Sequence, residues 1–427
     1  MRKEVAVILL ILISEVTFGQ KRDLDFFIKS AYRHSPLIQK QANRDKIIDL
    51  DMAQFKRIYS SPTINLNANV LLAPIVSNDN GKKKLELVSA GATQYYGYDL
   101  GASNGGQYQA LISVNHPLFT KNHMTAQQDK ANVLKEQYKN KVALTQLELQ
   151  QTVTHQYILC LQSKKLIDNA QQSTSVLEAQ IKEMRPLVKA GIIKYIDLKL
   201  LEIELQNSQI EQERLTADYQ NNLNALYLLC GISPEKSIDL QDIDLQISKP
   251  KPDQSAFEKQ YQLDSLRIIS EQKISNLKYL PQVNAFGDTG LNATYLPTPN
   301  RLGFSVGIGL TWNLFDGNQQ KIKQQQDKIK LENIEIDKHY FINQNAIRKQ
   351  NLWQQINSLD DQLALLNKQL ATYQKLLGLY QAEIKDGLVS ILELKTLIKE
   401  INLKKQSKIN IQLSKQILIN AYNYWNH

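Results

Sequence analysis

Cysteine, histidine, glycine and proline are all scarce in this 427-residue chain, and each scarcity excludes something. Cys160 and Cys230, the two cysteines, stand 70 positions apart (230 minus 160), so they form neither a disulfide framework nor a CxxC pair. The six histidines show no HExxH or His/Cys grouping. No Ser/His/Asp or Cys/His arrangement is visible either, so no enzyme, cofactor or metal site is expected; His116 and His155 read as ordinary polar positions, Cys160 and Cys230 as apolar helix residues. With 17 glycines and 11 prolines there is little room for a loop-rich or many-stranded fold. Beyond the first residues no run of 18 apolar residues occurs, and a mean hydropathy of −0.37 is too low for a helical polytopic membrane protein. A hydrophobic share of 42% is in turn too high for a disordered chain.

Charge is present in excess of one sign, 51 Lys+Arg against 42 Asp+Glu, a net +9. The basic residues spread along helical stretches with no patch beyond Lys82–Lys84, so a nucleic-acid partner is not expected. The opening MRKEVAVILLILISEVTFGQ has a basic start at Arg2 and Lys3, an apolar stretch from Val5 to Ile13, and a small-x-small site at Thr17-Phe18-Gly19. That pattern is expected of a signal peptide over residues 1–19, with a mature chain from Gln20; the alternative is a buried helix opening a domain. An exported chain with no spanning helix is either soluble or inserts as strands.

The chain also repeats itself. Residues 187–205, LVKAGIIKYIDLKLLEIEL, match residues 383–401, EIKDGLVSILELKTLIKEI, and VNHPLFT at 114–120 matches LTWNLFD at 310–316. Both matches share an offset of 196 (387 minus 191 for the glycines, 315 minus 119 for the phenylalanines). A third, YSSPTINLN from Tyr59 against YLPQVNAF from Tyr279, has an offset of 219 (281 minus 62), which places 23 extra residues in the first copy. We read a first repeat over 20–230, a linker over 231–254 and a second repeat over 255–427. The extra residues are expected in a long exposed loop at 73–107, which contains GKKK and several tyrosines.

Period-2 alternation marks the strands. In 302–315 Leu302, Phe304, Val306, Ile308, Leu310, Trp312 and Leu314 alternate with small or polar residues. Pro62–Leu72 repeats this with Ile64, Leu66, Ala68 and Val70 against Asn65, Asn67 and Asn69. Residues 110–114 fit with Leu111 interrupting, and 281–295 more weakly, with Phe286 on the wrong face. The alternative is a sandwich strand over a soluble core, but the chain lacks strands for a second sheet. Tyr59, Tyr108, Tyr295, Trp312 and Phe315 cluster near strand ends, where they are candidates for an interfacial aromatic girdle. Four strands cannot close a barrel alone, so strands that enter lipid must be pooled by several chains.

Between the strands lie long helical stretches. From Gln319 to Asp386 there is no proline, and from Leu352 to Ile384 apolar residues step by 4,3,4,3 without interruption, a heptad seam. Such a stretch spans roughly 100 Å as a helix. Periodicity alone would favour a fibrous coiled coil or scaffold; strands alternating strictly with such helices in one exported chain reverse that preference.

Together these features resemble the TolC family of outer-membrane efflux proteins. The likeness rests on strand entries after Pro62 and Pro281, strand exits at Leu118-Phe119 and Leu314-Phe315, the long helix pairs, and turns at Gly191 and Gly387. It implies a mainly helical fold with a transmembrane β part: a duplicated long-helix α-barrel with four strands per protomer, closed by a homotrimer into a twelve-stranded β-barrel. It also implies an outer-membrane channel, the passive exit duct of a tripartite efflux pump or type I secretion system, reaching into the periplasm. Its partners would be a periplasmic adaptor, an inner-membrane transporter (RND, ABC or similar) and outer-membrane lipid. By the same likeness the turns form the periplasmic gate and adaptor-docking tip, with Gly191, Lys194 and Asp197 in the first copy and Gly387, Ser390 and Glu393 in the second. In a trimer each carboxylate becomes a ring of three that favours cations; the plainer reading is a helix N-terminal acid. Two positions depart from the best-studied members: Glu393 replaces Asp, and Val389 stands where an arginine helps lock the closed state, leaving Lys194, Lys385 and Lys395 as candidate cations. The rival to a channel is an exported periplasmic coiled-coil scaffold whose strands form a small soluble sheet.

Overall fold

The computed structural model describes residues 21–78, 81–86, 94–97, 107–234, 238–249, 255–294, 299–384 and 388–427. The expected leader, Tyr295, Lys385 and Gly387 lie outside the described residues. In chain order the elements are β1 (Lys21–Arg22), α1 (Leu24–His34), α2 (Pro36–Ser60), β2 (Thr63–Leu71), β3 (Ile75–Ser77), β4 (Lys84–Glu86) and β5 (Tyr95–Tyr96). There follow β6 (Gln107–Leu118), α3 (Lys121–Lys189), α4 (Tyr195–Cys230), β7 (Asp239–Leu240), α5 (Ala256–Leu277), β8 (Gln282–Thr294), β9 (Leu302–Thr311), α6 (Gln319–Glu383) and α7 (Ile391–Trp425). Proline and glycine punctuate this order. Pro36 opens α2, where a missing N–H costs nothing, and α2 ends before Pro62. Gly231 stops α4 in the left-handed region (φ 65°), and a Cβ there would sit 2.7 Å from His34 Cβ.

The chain divides into two compact units. One comprises Gln41–Asn140 and Glu258–His339 and holds an antiparallel sheet ordered β2-β6-β8-β9. The register sets Ile64 against Val114, Val114 against Gly287 and Gly287 against Val306, so one face is shared across all four strands. Phe286 does lie on the other face, opposite Gly307, whose missing side chain leaves room for the ring; a Cβ there would meet Phe286 at 2.6 Å. His116 does not behave as an ordinary polar position: it shares the apolar face, opposite Ala285.

Two expectations change here. The strand expected over 302–315 ends at Thr311, which pairs with Gln282, the first residue of β8. Pro281 has no N–H to extend the ladder, and the Trp312 indole N–H donates instead to the Tyr279 carbonyl at 3.1 Å. Likewise 73–107 is not one exposed loop. It contains a three-stranded sheet ordered β4-β3-β5, with Ala73, Ile75 and Ser77 buried.

The other unit comprises Met1–Lys40, Lys141–Phe257 and Tyr340–His427, and the regular structure among its described residues is helical apart from the parallel pair β1 and β7. One core gathers Phe27, Val153, Tyr157, Leu161, Leu226 and Tyr227 with both cysteines. Burial pushes both thiols up to about 12, so they stay protonated as apolar helix residues. Tyr157 Oη lies 2.7 Å from the Gln241 carbonyl and 3.2 Å from that of Arg22, fastening the β1–β7 pair to α3. Polar rungs link α3 to α7: Asn169 donates to Asn402 at 2.6 Å and Gln162 to Asn410 at 2.9 Å. The α6 seam faces inward, with Ile356, Leu366, Leu370 and Ile384 buried and its other members half-buried.

Candidate functional site: a two-faced sheet and a pair of helix turns

The outer strands of the sheet are exposed on both faces. Every residue of β2 is exposed, and on β9 Phe304 is 84% and Val306 80% accessible. One face carries Ile64, Leu66, Val70, Ile112, Val114 and the even-numbered apolar residues of β9. The opposite face is polar: Asn65, Asn67, Asn69, Gln109, Ser113, Asn284 and Ser305. Its side chains bond to one another, Asn67 Nδ2 to Ser113 Oγ at 3.2 Å and Asn69 to Gln109 at 3.4 Å. A bare apolar face of this kind costs free energy in water, at about 25 cal/mol per Å²; it is bare over β2 and β9, while Ala293 near the end of β8 is buried. Both edge strands, β2 and β9, also have one side with no strand paired to it among the described residues.

The expected girdle residues fall in different settings. Tyr108 lies on the apolar face between Val70 and Ala293. Trp312 and Phe315 follow β9, 55% and 82% exposed. Tyr59 is not on a strand; it is the penultimate residue of α2 and stacks on His123 with ring centroids 5.2 Å apart.

The helix turns belong to the helical unit. Gly191 (φ 73°) closes the end of α3, with its N–H on Val188 and that of Ile192 on the Leu187 carbonyl at 3.0 Å. Lys194 is the N-cap of α4 and offers no side-chain acceptor; Asp197 sits in the first turn, its N–H bonded to the Lys194 carbonyl at 3.1 Å. The second turn is built differently. Ser390 caps α7 in a complete capping box: its Oγ accepts from the Glu393 N–H, while the Glu393 carboxylate accepts from the Ser390 N–H and hydroxyl, each at 2.9 Å. Those bonds hold the Glu393 carboxyl below the usual carboxylate range.

Beneath both turns lies a common core of Leu177, Ile181, Met184, Leu198, Leu201, Ile384, Ile391 and Leu394. Of the candidate cations, Lys395 reaches from α7 to Glu204 on α4 at 3.6 Å. Sequence reasoning missed three features here. The capping box was readable as S-x-x-E ahead of an apolar run. The Lys395–Glu204 pair was not, since it joins residues far apart in the chain. Nor was the apolar display around the turns, Ile192, Tyr195, Ile196, Leu388 and Leu392, all more than half exposed.

The arrangement of long helices with a two-faced, edge-open sheet has counterparts among known proteins. Residues 76–232 match the model of the outer membrane efflux protein family. Among solved structures, CusC, a protein that undergoes transmembrane channel formation, superposes with a TM-score of 0.70 at 12% identity, covering 96% of this chain and 93% of that one. The outer membrane protein VceC of Vibrio cholerae gives 0.68 at 13% identity over 94% and 95%. The outer membrane channel MtrE of Neisseria gonorrhoeae gives 0.66 at 13% over 94% and 88%. No curated protein matches. The chain thus carries the family's pattern over residues 76–232 and its fold nearly throughout, and the resemblance read from the residues holds.

Proposed function

We propose that this chain is one protomer of a trimeric outer-membrane channel, the passive exit duct of a tripartite efflux pump or type I secretion system. The observation that carries this is the sheet with a bare apolar face and two open edges. Lipid satisfies the face but not the edges, because hydrocarbon offers backbone groups no hydrogen bond. Pairing β9 of one copy with β2 of the next closes the cylinder. Two copies would give eight strands and three give twelve; the choice of three follows the family.

In this reading the two repeats are a duplication, residues 20–230 and 255–427, and the leader exports the chain to the outer membrane. The helix turns face the periplasm, close the duct and receive an adaptor, with an inner-membrane transporter supplying energy. The exposed apolar residues around the turns supply the docking surface. Asp197 and Glu393 form carboxylate rings at the mouth, and Lys395–Glu204 joins the two repeats within one chain. The chain itself performs no catalysis. The scaffold alternative is disfavoured by the same sheet, since a soluble protein would have to leave its apolar face in water.

Single-channel recording in a planar bilayer tests the reading. The purified oligomer is expected to give small, cation-preferring openings that widen or become less cation-selective in Asp197→Ala and Glu393→Ala. A folded oligomer with no pore activity would overturn the channel; unchanged selectivity in both variants would overturn only the gate assignment.

A further inference from the structure

A chain with nine excess positive charges places a single charged side chain on the polar face of its described four-stranded sheet, and that charge is negative. It is Asp288. Every other described residue of that face is an amide, a hydroxyl, a glycine or an uncharged apolar residue such as Phe286 or Leu111. Asp288 is the seventh of the 13 residues of β8, midway along the strand. Its direct neighbours across the ladder are serines, Ser113 on β6 and Ser305 on β9. The Ser305 hydroxyl donates to Asp288 Oδ2 at 3.3 Å and steadies the carboxylate without neutralising it. On β9 the residues flanking Ser305 on this face are Gly303 and Gly307, so no large β9 side chain stands over the carboxylate.

We infer that Asp288 is a selectivity residue of the pore: three copies form a carboxylate ring halfway along the barrel, which favours cations independently of the acids at the helix turns. This rests on the reading of the sheet as a pore wall, where the polar face lines the lumen. With no fixed cation on that face, the field inside the barrel takes the sign of Asp288. Fixed charge of one sign inside a low-dielectric wall concentrates counter-ions. A barrel lumen is wide, so the effect depends on screening. The Debye length is ~3 Å at 1 M salt but ~30 Å at 0.01 M. The preference is therefore expected at low salt and lost at high salt.

The test uses the full-length oligomer in planar bilayers, in a background of Asp197→Ala and Glu393→Ala that removes the turn carboxylates. Reversal potentials in a KCl gradient near 0.01 M should show a residual preference for potassium over chloride. Asp288→Asn should lower that permeability ratio by about twofold or more, Asp288→Lys should invert it, and Asp288→Glu should keep it. At 1 M KCl all four channels should coincide. If channels open with one ratio whether residue 288 is Asp, Asn or Lys, the inference is wrong while the pore reading stands. If the folded trimer of the Asp288-containing protein conducts nothing, the pore reading falls and the inference with it.

Discussion

The helical unit and the sheet unit handle apolar surface in opposite ways. Beneath the helix turns Leu201 and Leu394 are 0% exposed and Ile384 1%, each covered by other helices of the same chain. On the sheet Phe304, Val306 and Leu66 are 84%, 80% and 74% exposed. The first region holds a core built by one copy. The second presents an interior-grade set of side chains to its surroundings, so its energetics are complete only against lipid and neighbouring strands. One sequence is written for two solvents.

Substitutions sharpen this contrast, beginning with the largest effect. Leu201→Ala empties a fully buried site and should lower stability by about 2–5 kcal/mol, read by denaturant unfolding in detergent. Phe304→Ala should shift the same transition by less than about 0.5 kcal/mol; equal losses would erase the distinction. On the sheet, Leu66→Arg should cost ~2–4 kcal/mol of membrane insertion, while Asn67→Arg, one residue along and on the polar face, should insert normally. Assembly into lipid vesicles reads both, and equal insertion would mean the faces are assigned wrongly.

Within the helical unit the two turns differ on a smaller scale. Ser390→Ala removes the cap of α7 and should cost about 0.5–2 kcal/mol. Lys194→Ser supplies the cap that α4 lacks and should gain up to about 1 kcal/mol, partly by removing a cation from a helix N-terminus. Slower amide exchange at residues 195–198 would report the gain. Glu393 adds a pH signature. Its carboxyl is held low in the folded chain by the Ser390 N–H and hydroxyl. Its contribution is therefore present above the unfolded value near 4.3 and is lost as pH falls through the lower folded value. The melting difference between the natural chain and Glu393→Gln should be largest near pH 6 and close toward pH 3.

Much of this was legible before any coordinates. Strands such as β2 and β9 show in sequence because each has two faces facing unlike media, so the period survives. The α6 seam shows because heptad spacing is local. Phe286 read as an error until the register set it over Gly307, a fact that lives in strand pairing. The pairs β1–β7 and β3–β5 escaped for a similar reason: segments of two or three residues are too short to carry a period, and distant partners hold them. At the turns, residue identity pointed to Asp197 and Glu393 as equivalent acids. The caps before them, Lys194 and Ser390, make their settings unequal.

The central claim is that the sheet is finished by other copies of the same chain within lipid, and the most direct measurement is the mass of the particle extracted from outer membranes in mild detergent. Three chains per particle, dissolving only with detergent, is the predicted result. A stable single chain that stays in solution after osmotic shock, with no detergent bound, would contradict it.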